Sequence, residues 1–207
     1  FQGATRWHTF IALAIIPIYF GQPALALGGL SAAAMTPLLN IVNVWVISVH
    51  GSGIKLNARA IALSILKNPF VLSSLGGVAW QLLHLPMPVM EVQILDMIGK
   101  GALGLALLAV GAGLRIDEAH STKGPVVLAT FLKLLVMPLF MAVWLWVLDV
   151  SGEAASVAIL CGAVPTGSGA YVLAKLMGGD APMIASILTL QVICAAVTIP
   201  FVLSLLG

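Results

Sequence analysis

Charge is what this chain most lacks. Lysine and arginine number 9 and aspartate and glutamate 7 among 207 residues, 8% in all, against about a quarter in an ordinary soluble domain. Cysteine is nearly as scarce. Cys161 and Cys194 both fall inside apolar stretches with neither metal-ligand nor redox spacing, which leaves them as small core residues. Short segments of alternating polar and apolar residues are missing as well, and that excludes a transmembrane β-barrel. Inside the apolar runs there is no paired nucleophile and base, no His/Asp/Glu cluster and no acid dyad. A membrane-embedded enzyme is therefore disfavoured, and no catalytic residue, metal or cofactor is expected. The formal net charge of +2 says little, and no nucleic-acid partner is expected.

What the chain has is apolar surface. Hydrophobic residues make up 61% of it, more than the core of a soluble fold of 207 residues could hide. The runs are apolar on every face for about 20 residues, so they read as membrane-spanning helices with the lipid bilayer as their partner. They lie at 8–21, 24–49, 69–85, 92–114, 124–148, 155–177 and 182–206. The first is too short to cross a bilayer unless it begins before residue 1, and the chain opens on FQGATRW without a methionine. An upstream portion is expected, and the opening residues lack the charged region and cleavage site of a signal peptide. Residues 57–66 could form a short interfacial helix in a connection that carries Lys55, Arg59 and Lys67.

Basic residues alternate between connections. Residues 50–68 carry three and 115–123 carry Arg115 and Lys123, whereas 22–23, 86–91 and 149–154 carry only Glu91, Asp149 and Glu153. This bias predicts that the basic connections face the cytoplasm. Setting residue n against n plus 157 aligns His8-Thr9 with Pro165-Thr166 and Gly21 with Gly178, each ahead of one long final helix. The two units then run in opposite directions through the membrane. An inverted repeat with a polar interruption at matching places is the sequence mark of a secondary transporter's binding site.

The second interruption is the sharper one. In CGAVPTGSGAYVLAKLMGGD, Pro165 removes a backbone donor, while Gly167 and Gly169 weaken the helix further. Released amides cost several kcal/mol each in hydrocarbon, so the opened backbone must be buried in protein or line a wet cavity. A half-helix starting near Ser168 would aim its free N–H groups at the bilayer centre, which favours a carboxylate. The competing reading is a proline kink with small residues for helix packing.

If the first span begins before residue 1, Arg6 and His8 of the first repeat are ionisable residues inside the membrane, and hence site candidates; snorkelling of Arg6 and simple packing of His8 are the alternatives. Lys133 lies too deep to snorkel and needs an anionic partner, a cavity or a substrate, which makes it a candidate for coupling. Asp96 and Lys100 are four apart, as an ion pair on one helix face or a proton-coupling pair would be. Lys175 reads as snorkelling, and Asn40 and Asn43 as interhelical hydrogen-bonding residues. His50, His84 and His120 lie at span ends, and Trp7, Trp45, Trp80, Trp144 and Trp146 read as interface anchors.

The ordered stretches KNPFVLSSLGGVAWQLLHLPMP, IGKGALGLALLAVGAGLRI, LKLLVMPLF and AVPTGSGAYVLAKLMGGDAPMIASILTLQVICAAVTIPFVLSLL closely resemble the second half of bacterial auxin efflux carrier family transporters. RWHTFIALAIIPIYFGQPALALGGLSAAAMTPLLNIVNVWVIS resembles the end of that family's first half. The resemblance implies an all-α, polytopic helical bundle: an inverted-repeat transporter with two crossed, interrupted helices, in the manner of sodium-proton antiporters and bile-acid transporters. Residues 1–49 would end the first repeat with helices four and five, 50–68 would be a cytoplasmic linker, and 69–207 would be the second five-helix repeat.

The resemblance also implies secondary, elevator-like transport of organic anions, auxin in plants and malate- or malonate-type carboxylates in bacteria, across the plasma or inner membrane. A small organic anion and a second copy of the chain are the expected partners. By motif match Pro165, Thr166, Gly167, Ser168 and Gly169 take the ninth-helix crossover role and His8-Thr9 the fourth-helix one, where relatives often carry asparagine-threonine. A sodium- or proton-coupled symporter of the bile-acid type and a passive channel are the alternatives.

Overall fold

The computed structural model describes residues 1–50, 59, 63, 69–112 and 124–206. Among them every regular element is helical. A short α1 (Gln2–Thr5) is followed by α2 (Thr9–Tyr19), a single 3₁₀ turn (Gln22–Ala24) and α3 (Leu25–His50). After the connection come α4 (Pro69–Leu82) and α5 (Val89–Ala112). Then α6 (Gly124–Phe131) passes through a π turn (Leu132–Val136) into α7 (Met137–Val147). The chain ends with α8 (Gly152–Ala163), α9 (Gly169–Leu176) and α10 (Ala181–Leu206).

Among the described residues four stretches are long and apolar enough to span a bilayer: Gln22–Ile47, Val89–Ala109, Gly124–Val147 and Ala181–Leu206. The protein is therefore a polytopic helical membrane protein, and its many exposed leucines, isoleucines and phenylalanines are the lipid-facing surface that such a protein requires. Of the expected interfacial helix 57–66 only Arg59 and Leu63 are described, and both are exposed. Lys55, Lys67, Arg115, His120 and Lys123 lie outside the described residues.

Both interruptions are present. The first occupies residues 6–8 between α1 and α2, and the second residues 164–168 between α8 and α9. The two glycines aligned in the sequence also sit at matching places, at the far ends of the two half-helices. Gly21 (φ 87°) follows α2 and Gly178 (φ 70°) follows α9, each in the left-handed region where glycine escapes the Cβ penalty. Beyond Gly178 the Gly179 N–H returns to the Ala174 carbonyl at 2.8 Å, and Asp180 Oδ1 accepts from the Met183 N–H at 2.9 Å to start α10. The repeats differ in one respect: α2 begins at Thr9, whereas Thr166, which aligns with it, sits within the break and α9 begins three residues later. The proline and two glycines of the second repeat account for the longer opening.

The main core lies behind the breaks, where Ile16 of α2, Ala32 of α3, Leu160, Cys161 and Val164 of the α8 end, and Ala195, Ile199 and Leu203 of α10 pack together. A second cluster joins Val126 of α6, Ala170 and Ala174 of α9, and Ile184 and Ile187 of α10. The two half-helices α8 and α9 are thus each clamped to α10, and the break between them is fixed in place.

Candidate functional site

Why the second helix opens is plain at atomic scale. The last helical bond of α8 runs from the Val164 N–H to the Leu160 carbonyl at 3.1 Å. Pro165 has no N–H to continue the ladder, and the Thr166 N–H turns instead to Gln191 Oε1 at 2.8 Å. The Thr166 hydroxyl donates across to the other broken helix, to the Gly3 carbonyl at 2.9 Å and the Arg6 carbonyl at 3.4 Å. Gln191 Nε2 donates to the same Gly3 carbonyl at 2.6 Å and to the Ala129 carbonyl at 3.3 Å.

These bonds hold the first break open. In an uninterrupted helix the Gly3 carbonyl would accept from residue 7; here it is taken by Thr166 of the other break and Gln191 of α10. The backbones approach so closely that a Cβ on Gly167 would sit 2.9 Å from the Trp7 carbonyl oxygen, so only glycine fits there. The two interruptions therefore cross in contact.

Around the crossing is a cavity of about 190 Å³ lined by Arg6, Trp7, His8, Thr9, Phe10, Thr36, Leu39, Asn40, Gly167, Ser168 and Gly169. Among the described residues no carboxylate lines it. The Arg6 guanidinium is held by Gln2 Oε1 at 3.3 Å, the Gly169 carbonyl at 3.4 Å and Asn40 Oδ1, all neutral acceptors that leave its charge unbalanced. The backbone N–H groups of Gly167, Ser168 and Gly169 find no carbonyl acceptor among the described residues. They form the positive end of α9, and the N-terminus of α2 at Thr9 opens onto the same space. His8 is 4% exposed, and neither of its ring nitrogens has a hydrogen-bond partner. An orphaned imidazole lining a cavity is a group that lacks something to bind.

Of the residues singled out in the sequence, Arg6, His8, Thr9, Gly167, Ser168 and Gly169 meet at this cavity. Pro165 and Thr166 lie just behind it, fully buried, and shape the opening rather than line it. Lys133 is 1% exposed and, among the described residues, meets no carboxylate and does not line the cavity; its Nζ donates to the Gly162 carbonyl at 3.0 Å. Asp96 and Lys100 form an exposed i, i+4 ion pair of 2.6 Å on α5 and do not line the cavity. Asn40 and Asn43 make the interhelical bonds expected of them, Asn40 to Arg6 and Asn43 to the Thr5 hydroxyl at 3.4 Å. Trp7 departs from expectation: it is buried in the break, not an interface anchor, because the interruption turns it inward beside Gly167. Gln191 was missed. The only signal was a lone amide in the apolar run TLQVICAAV, which in a membrane demands partners.

A family profile described as "Membrane transport protein" matches residues 53–203, well over half the chain. The chain belongs to this family. It is the auxin efflux carrier type of transport family that the sequence resembles, and it is a family of transporters, not a class of enzymes. The matched stretch carries the Pro165 break, Lys133 and Gln191 of the transporter; Arg6 and His8 stand ahead of it. No curated protein matches the chain.

Proposed function

We propose that this transporter is a secondary carrier of small organic anions, mono- or dicarboxylates of the malate, malonate or auxin kind, which it binds where the two broken helices cross. The observation that supports this reading best is a cavity at the crossing with a guanidinium, two half-helix N-termini, an unpartnered imidazole and, among the described residues, no acidic side chain. One carboxylate would lie between Arg6 and the free N–H groups of Gly167, Ser168 and Gly169. His8 would take a hydrogen bond from or give one to a second polar group of the solute. The volume of about 190 Å³ leaves room for a small carboxylate. Alternating access would carry the crossing and its bound anion from one face of the plasma or inner membrane to the other, with the basic connections in the cytoplasm.

Uptake of labelled malate and of labelled indole acetate into proteoliposomes tests the reading. A carrier shows saturable flux stimulated by unlabelled anion on the far side, whereas flux linear in concentration would mean a pore. Replacing His8 by Phe removes no internal hydrogen bond, so the melting temperature should stay nearly unchanged while anion affinity falls roughly tenfold. Unchanged affinity would remove His8 from the site.

A further inference from the structure

Breaking a helix frees carbonyls as well as amides, and the carbonyl end of α8 is where the structure holds a buried lysine. Residues 161–163 lose their helical partners at the break: residue 165 is proline, and the Thr166 N–H that would reach the Gly162 carbonyl bonds Gln191 instead. These carbonyls form the negative end of a buried half-helix. In transporters built on broken helices such ends are where a coupling sodium ion is drawn in.

Here the place is already filled. Lys133 arrives from the π turn, which turns both Lys133 and Leu134 into the protein. Its Nζ donates to the Gly162 carbonyl at 3.0 Å. Gly162 is what lets the two segments close up, since a Cβ there would meet the Met141 side chain at 2.9 Å and the Met137 carbonyl oxygen at 3.5 Å. No carboxylate pairs with Lys133 among the described residues, and it is fully buried. Its counter-charge is the helix end itself.

We infer that the Lys133 ammonium is a resident cation, tethered at the open carbonyl end of α8 in the place a sodium ion would otherwise take, so that this carrier works without a coupling alkali cation there. The same charge locks the break open, because withdrawing it would leave the Gly162 carbonyl bare in a dry interior. The inference does not depend on which anion is carried.

The test reads the anion-free protein in detergent by thermal denaturation, so its outcome stands apart from that of the carboxylate reading. Wild-type melting curves in sodium, potassium and choline chloride at equal ionic strength should coincide. Lys133→Ala should melt about 5 °C or more lower, and propylammonium chloride, which matches the deleted side-chain atoms, should restore at least half the loss while choline restores none. Lys133→Met fills the space without charge, so it should be lowered and stay lowered in propylammonium. Saturable, sodium-specific stabilisation of the wild type would overturn the inference, as would Lys133→Met melting like the wild type or Lys133→Ala indifferent to propylammonium. Should Lys133→Ala fail to fold, the wild-type salt series and Lys133→Met decide alone.

Discussion

Two glycines in one motif, two positions apart, have different work to do. At Gly167 a methyl group would stand 2.9 Å from a backbone oxygen of the other broken helix, and backbone cannot swing aside as a side chain can. At Gly169 the nearest atom would be the Arg6 Nη2 at 3.6 Å, an ordinary contact at the end of a flexible side chain. Gly167→Ala should therefore cost about 1–3 kcal/mol of stability and weaken anion binding in step with it. Gly169→Ala should fold like the wild type. Denaturation of the two single variants side by side checks this, and equal losses would mean that the backbones do not touch. Glycine count could not separate the two roles, because what distinguishes them is a neighbour some 160 residues away.

At the scale of elements, the crossing behaves as one hydrogen-bonded unit assembled from α1, α8 and α10. Gln191 is its hinge pin, accepting from Thr166 and donating to Gly3 and Ala129. Gln191→Leu keeps the size of the side chain and strands the Thr166 N–H, a loss of about 1–3 kcal/mol. Hydrogen exchange should then quicken at residues 2–8 and 164–168 together, leaving α7 as it was. Faster exchange at one break alone would show that the two are not coupled through this amide. The run of helices was legible in the sequence because apolar length is a strong signal in a membrane. The π turn at Leu132–Val136 was not, since it depends on how Lys133 and Leu134 are both accommodated inside.

For the molecule as a whole, lipid takes the part that solvent plays for a soluble protein. Trp45, Trp80, Trp144 and Trp146 are exposed, from 43% for Trp80 to 81% for Trp146, whereas Trp7 is 6% exposed at the crossing. In single-tryptophan variants reconstituted in bilayers with brominated acyl chains, the four exposed residues should be strongly quenched and Trp7 nearly spared. Quenching of Trp7 comparable to the rest would mean that the crossing lies open to lipid. Membrane transport, as a family trait, and the carboxylate proposal rest on different scales: the first on a match along residues 53–203, the second on a cavity whose cation lies outside that stretch.

The sequence by itself determined the membrane class, the approximate spans, the family and the break at Pro165, because each follows from local chemistry: apolar length, ordered motifs and a residue with no amide proton. It pointed to Arg6 and His8 as polar oddities but held no breaker at residues 6–8 to explain them. Only the tertiary structure opened the first helix, since Thr166 and Gln191 take the carbonyl that would otherwise have closed it. Only the tertiary structure, too, gave Lys133 a backbone carbonyl for a partner, where the sequence left an anionic partner, a cavity and a substrate all open.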